Sequence, residues 1–424
     1  MKYNFDEEIC REGTSCEKFD LRDEIFGRDD VIPLWVADMD FAAPPEVTEA
    51  IRKRAEHPVL GYSYRSDAYW NAIIGWVERH GGWKLRREWL DFTPGVVSGI
   101  VFALRAFTSE GDGVVIQPPV YHPFARQTRL NGRRVLENPL IQAADGRFVV
   151  DFDDLDRQLS GAKALLMSNP HNPTGRVFTR EELTRIGELC VKHDILILSD
   201  EIHSDLIYDP HRHLHIAALD ERFARRTVTF IAPSKTFNMA GLSTSVVIVP
   251  DDSLRRRLQT ELAKLHADQG NIFGAVALEA AYSRCDEWLE QLIDYLDGNV
   301  NYVLDFLRDR MPSVRAVRPE GTYLMWLDFR EWPMTHEQTY RLLIDRAGLG
   351  VNEGSMFGEQ GRGWMRFNIA SPRRVIERAM DRLYRAAAAE GLADRTSHAR
   401  IFPPPCRDRK RRSVPAVKES GAMR

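Results

Sequence analysis

Four short runs dominate the middle of this chain: residues 163–169 (KALLMSN), 194–201 (DILILSDE), 228–235 (VTFIAPSK) and 243–250 (STSVVIVP). Each is apolar over several consecutive positions rather than alternating, as a strand covered on both faces must be. Between the first two lies an amphipathic helix, opened by the capping-box pair Thr179 and Glu182, with Leu183, Ile186, Leu189 and Cys190 on one stripe. Strand–helix–strand alternation of this kind predicts an α/β fold with a mostly parallel sheet.

Around this centre the pattern changes twice. Residues 251–311 read as almost wholly helical, and the stretch ending at Met311 is long enough to join two lobes before Pro312 stops it. Beyond it comes a smaller α+β pattern: a strand over 322–329, a helix capped by Thr335 and Gln338, a strand over 364–370 and a helix over 372–390. The expected organisation is an N-terminal segment (1–45) joining the small domain, a large domain (46–290), a small C-terminal domain (291–390) and a basic tail (391–424). With Pro403–Pro405 and a charge cluster at 407–412, that tail is expected to be disordered.

Composition removes several function classes. Lys and Arg number 58 against 62 Asp and Glu, a net charge of -4, so there is no overall basic field for nucleic acid or an anionic membrane surface. The N-terminus carries charges throughout, and no stretch approaches the roughly 18 apolar residues that span a bilayer. Five scattered cysteines without a C-x-x-C pair suggest neither a disulfide framework nor a zinc site, and a reducing cytoplasm is expected. His211, His213 and His215 alternate in PHRHLH, but in a loop with no carboxylate at a recognised ligand spacing, so no metal site is expected.

Polar residues cluster just past the ends of the predicted strands, the edge where open α/β sheets build their sites. Asn172 follows the first strand in NPHNPTG, Asp200 and His203 end the second in SDEIH, and Ser234 and Lys235 end the third in APSK. A lysine at the inner end of a buried strand is unusual, and desolvation favours the free amine that condenses with a carbonyl. An aspartate on the preceding strand is what a pyridoxal phosphate ring needs to keep its nitrogen protonated.

Together NPHNPTG, SDEIHSDLIY, APSKTFNMAGL and MRFNIASPR resemble the fold-type I pyridoxal-phosphate enzymes of the class I/II aminotransferase superfamily. The resemblance covers about residues 20–390. WVADMDF, TPGVV and PEGTYLMWLDF are most similar to its cystathionine β-lyase, or β-C–S lyase, branch. It implies a mostly parallel seven-stranded sheet in the large domain, a smaller α+β domain and pyridoxal 5'-phosphate as cofactor. By resemblance Lys235 would hold the cofactor as a Schiff base and then take the Cα proton. Asp200 would pair with the ring nitrogen, Asn172 with the phenolic oxygen beside His203, and Tyr121 would stack on the ring. Val96 and Val97 at a helix start, with Ser234, would receive the phosphate. Tyr62 would reach a neighbouring subunit's phosphate in a homodimer, although Tyr64 lies close by. Arg366 would grip the substrate carboxylate, with the backbone at Ala37 as a second contact.

Two departures stand out: Ala232 replaces a serine usual three residues before the lysine, and Ser243 stands where many relatives carry an arginine. They argue against an aspartate-type aminotransferase. The expected reaction is β-elimination on cystathionine or a related cysteine S-conjugate, yielding pyruvate, ammonia and a thiol. Transamination with a 2-oxo acid is the alternative, and a cofactor-bound regulator acting through a protein partner is a third reading.

Overall fold

The computed structural model describes residues 2–393; the basic tail expected from 391 onward lies outside them beyond Ala393. Seven strands form the large sheet: β1 (Leu90–Thr93), β2 (Gly113–Ile116), β3 (Arg134–Glu137), β4 (Ala164–Ser168), β5 (Leu196–Asp200), β6 (Thr227–Ile231) and β7 (Ser245–Ile248). Their order is β1-β7-β6-β5-β4-β2-β3. All neighbours pair in parallel except β7, which is antiparallel to both β1 and β6. The fold is therefore α/β with a mostly parallel seven-stranded sheet.

The four apolar runs become β4 to β7, and the burial explains their composition. Every residue of β4, β6 and β7 is buried, with Leu165, Leu166 and Val228 wholly removed from solvent. Each such side chain contributes about 1.5–3 kcal/mol relative to exposure. The reversed direction of β7 follows from its connection. The chain between β6 and β7 stays at one edge of the sheet in two short helical turns, Pro233–Thr236 and Ala240–Leu242, without the long return helix that a parallel crossover needs.

The predicted third run is shortened for a related reason. β6 ends at Ile231, and Lys235 sits in the helical turn Pro233–Thr236 rather than on the strand. Pro233 cannot donate to a strand ladder and is suited to the first position of a helix. The helix α1 (Val96–Phe107) follows β1 directly, with Gly95 as its N-cap and no side chain capping it. The helix α2 (Arg180–Lys192) carries the predicted Thr179–Glu182 capping box.

The long helix α3 (Asp286–Arg310) leads to a four-stranded antiparallel sheet of β8 (Arg315–Ala316), β9 (Leu324–Asp328), β10 (Asn352–Glu353) and β11 (Trp364–Asn368), ordered β8-β9-β11-β10. The helix α4 (Arg373–Ala389) follows it. Near the N-terminus Ile32–Pro33 pairs in parallel with Leu349–Gly350. From there residues 35–41 run between the two sheets. Asn368 Nδ2 donates to the carbonyls of Val36 and Asp38 (2.7 and 2.6 Å), and Asn238 Nδ2 donates to those of Met39 and Phe41 (3.0 and 2.7 Å). A buried ammonium fixes the same segment: Lys18 Nζ lies 3.0 Å from both Asp40 carboxylate oxygens. Among the described residues no helix is long and apolar enough to cross a membrane.

Candidate functional site

Because six strands share one direction, their C-terminal ends converge on one edge, and the reversed β7 brings its N-terminal approach there too. The result is a cavity of about 210 Å³. The segment after β1 supplies Val96, Val97 and Ser98, and the segment after β2 supplies Tyr121. From β4 and β5 come Asn172, Asp200 and His203; Ser234 and Lys235 follow β6, and Ser243 and Thr244 precede β7. Ala37 closes the cavity from the N-terminal segment. Ten of the residues singled out in the sequence thus line one space.

The electrostatics of that space are set by burial. Desolvation draws the Lys235 ammonium down to about 8 from 10.5; Arg366 adds to this, while Asp38 and Asp200 oppose it. Its Nζ donates to the Ala37 carbonyl at 2.6 Å. Burial pushes Asp200 up to about 7; it accepts the Ile202 amide on Oδ1 at 3.1 Å, and neither that bond nor the Lys235 charge offsets the desolvation. His203 is driven down to about 3 by burial and stays neutral, and its Nδ1 is buried with no hydrogen-bond partner. The site therefore holds a lysine near its deprotonation point, a carboxylate short of partners and an unsatisfied ring nitrogen.

The first turn of α1 adds donors of another kind. With Gly95 at the cap and no side chain bonded there, the opening amides of the helix are left for a ligand, and the helix dipole favours an anion. Ser243 lines the same end in a left-handed conformation (φ 44°).

Arg366, on β11, reaches this region from the small sheet. It is 3% exposed, and Nη1 donates to Asn172 Oδ1 at 3.1 Å while Nη2 donates to the Trp35 carbonyl at 2.7 Å and Asn352 Oδ1 at 2.5 Å. Its Nε is buried without a partner. The acceptors are all uncharged, and burial lowers the guanidinium to about 10. A buried cation held only by neutral acceptors is ready for an anionic ligand. Asn352 was not anticipated from the sequence, and neither were Thr244, Ser98 or Tyr323, whose hydroxyl donates to the Ala37 carbonyl at 2.8 Å. Tyr323 lies inside the quoted PEGTYLMWLDF, which was the available signal.

Tyr62 stands apart. It is fully exposed in the single chain, beside exposed Val59, Leu60 and Tyr64, and does not line the cavity.

The alternating histidines require a correction. The sequence offered them no carboxylate, but the fold brings Glu201 to them. His213 Nε2 lies 2.9 Å from Glu201 Oε2, His215 Nδ1 bonds the same oxygen, and Ser199 Oγ donates to Oε1 at 2.7 Å. All three side chains are buried. Both ring nitrogens meet the same carboxylate oxygen, Glu201 Oε2. Burial alone would raise Glu201, but His215 and His213 hold it down to about 2.

The model of the family "Aminotransferase class I and II" matches residues 29–383. The chain belongs to that family. Within the class I and II aminotransferases it is 40% identical over 382 residues to cystathionine beta-lyase PatB of Bacillus subtilis (strain 168), covering 90% of this chain and 98% of that protein. It is 30% identical over 397 residues to protein MalY of Escherichia coli (strain K12), covering 91% and 99%. Among solved structures, cystalysin from Treponema denticola, which contains a pyridoxal 5'-phosphate cofactor, superposes with a TM-score of 0.89 at 36% identity, covering 92% of this chain and 100% of that one.

Proposed function

We propose that this chain is a pyridoxal-phosphate-dependent carbon–sulfur lyase that cleaves cystathionine or related cysteine S-conjugates to pyruvate, ammonia and a thiol. The observation that carries the reading is the pairing of Lys235 and Asp200 in one buried cavity, in a chain 40% identical to a cystathionine β-lyase along nearly its whole length. The donor set fits the cofactor. A buried amine near its deprotonation point meets the aldehyde, a carboxylate short of partners meets the ring nitrogen, and uncapped helix amides with Ser234 meet the phosphate. When bound, pyridoxal phosphate accepts the electrons left on the substrate Cα.

The protein's own groups do the rest. Arg366 would bind the substrate α-carboxylate through a buried guanidinium whose Nε has no partner, with the backbone at Ala37 beside it. Lys235 would hold the cofactor through its amine and, when free, would take the Cα proton; a base with a pKa near 8 would serve that role well at neutral pH. Asp200 keeps the ring nitrogen protonated, and the cation it gains there supplies the partner that its carboxylate lacks in the bare cavity. Asn172, beside neutral His203, would hold the phenolic oxygen, and Tyr121 would cover the ring. The electron pair left at Cα would expel the thiolate from Cβ, and the released aminoacrylate would tautomerise and be hydrolysed by water to pyruvate and ammonia.

A second copy of the chain completes the site in this reading. The exposed Val59, Leu60, Tyr62 and Tyr64 form an apolar segment suited to a subunit interface, from which Tyr62 reaches the neighbour's phosphate. The four cysteines among the described residues are free thiols, in keeping with a cytoplasmic enzyme. The test is purified protein with L-cystathionine and no keto acid. Pyruvate and homocysteine thiol should appear in equal amounts, and product formed only on adding 2-oxoglutarate would replace this reading with transamination.

A further inference from the structure

The Ala37 carbonyl accepts two hydrogen bonds at once: from Lys235 Nζ at 2.6 Å and from Tyr323 Oη at 2.8 Å. Lys235 belongs to the large sheet's edge, Tyr323 immediately precedes β9 of the small sheet, and Ala37 belongs to the segment running between them. One backbone oxygen therefore ties three separate parts of the molecule together beside the catalytic amine.

The local structure around Tyr323 is built for this placement. Its side chain is wholly buried, and its ring meets the His203 ring edge-on with centroids 5.7 Å apart. The residue before it, Thr322, is a buried β-branched residue at φ 69°, a left-handed conformation such residues rarely adopt. Thr322 is held there by its amide bond to the Leu206 carbonyl (2.7 Å) and by the Leu324 amide on its hydroxyl (3.1 Å). Backbone strain retained by surrounding bonds concentrates where a side chain must be aimed. Here the side chain so aimed is Tyr323, and its hydroxyl has gone to a carbonyl that has no need of it for satisfaction, since Lys235 already donates there.

We propose that Tyr323 is a positioning residue: by anchoring the Ala37 carbonyl, it fixes the place where the Lys235 amine waits whenever it is not bound to cofactor. The assignment rests on the lyase reading for its kinetic consequence but not for its structural one. When Lys235 is engaged by the cofactor, the carbonyl keeps Tyr323 as its remaining donor and the 35–41 segment stays in register. Once Lys235 is free, the same oxygen would receive it again. Without the tyrosine hydroxyl, the Ala37 carbonyl loses its second donor while Asn368 still holds the carbonyls on either side, so the loss falls on the station offered to the freed base.

The test is Tyr323→Phe, which keeps the ring and deletes only the hydroxyl. With cofactor bound and Lys235 engaged, so that Tyr323 is the carbonyl's remaining donor, hydrogen exchange at the Met39 and Asp40 amides, which donate to Asn238 Oδ1 and the Ala370 carbonyl, should quicken about fivefold or more, with distant core amides unchanged. In the holoenzyme with a cysteine S-conjugate, kcat should fall about tenfold and the isotope effect from Cα-deuterated substrate should rise, while cofactor affinity stays within about twofold. A tyrosine that merely packs would leave the isotope effect unmoved. Unchanged exchange in the variant, or a lowered kcat with an unchanged isotope effect, overturns the proposal. A wild-type enzyme that turns over no S-conjugate would end the lyase reading instead, and the exchange measurement would still decide the role of Tyr323.

Discussion

Asp200 and Glu201 are consecutive residues, buried to 4% and 1% exposure, yet they titrate in opposite directions: the first is pushed up to about 7, the second held down to about 2. Their side chains leave the strand end on opposite faces of the sheet. Asp200 faces the cavity and has a single amide for company; Glu201 faces the packed side and is met by Ser199, His213 and His215. Burial is the same for both, so it is the supply of partners that separates them. A carboxylate left short of partners is one prepared for something that arrives later, whereas a fully met one belongs to the framework.

The contrast is sharpened most by Asp200→Asn. Turnover should fall by about a thousandfold, because the ring nitrogen loses its counter-charge, while the cofactor-free chain becomes more stable. The sign follows from its titration. Asp200 holds its proton more tightly in the fold than in the unfolded chain, so it erodes stability as pH rises from 3.8 to about 7. The variant's advantage should therefore be absent below pH 4 and full above pH 7, reaching about 1–2 kcal/mol in urea unfolding at pH 8. A variant that loses stability at pH 8 would break the comparison.

Glu201→Gln is the reciprocal case. It should cost about 3 kcal/mol of stability at pH 7, because two buried histidines lose their shared acceptor charge. Glu201 is lowered from 4.5 to about 2, so its contribution is complete above pH 4.5 and lost as pH falls toward 2; the gap between variant and wild type should close over that interval. Unfolding curves at several pH values check this. Ser199→Ala, which removes one donor from the same carboxylate, should cost about 1.5 kcal/mol, with kcat for S-conjugate cleavage unchanged. A fall in kcat without a fall in stability would move Glu201 and its partners into the catalytic group.

The same contrast explains what could be read from the sequence. Asn172, Asp200 and Lys235 were legible because each lies just past an apolar run, and strand ends on a parallel sheet meet at one edge. The sheet itself was legible from runs that are buried along their length, although the reversal of β7 depends on a connection whose path no periodicity reveals. Glu201 and the histidines at 213 and 215 were not paired, since the chain between them is an irregular loop and only folding brings ring and carboxylate together. Tyr323 and Asn352 escaped because each acts through a contact that only folding makes: Tyr323 reaches the Ala37 carbonyl 286 positions away, and Asn352 meets Arg366 across a strand pairing that no periodicity specifies. Tyr62 is legible as a motif, yet in one chain its side chain meets only solvent.

The bond from Arg366 to the Trp35 carbonyl spans 331 residues of sequence. At roughly 5–20 residues per second of synthesis, the N-terminal segment emerges about 20–60 s before the arginine that holds it exists. During that interval the large sheet can form, but its cavity lacks both the guanidinium and the segment that closes it. Cofactor capture in its final form would therefore wait for β11, and a ribosome-bound chain stopped short of it has the lysine without the arginine.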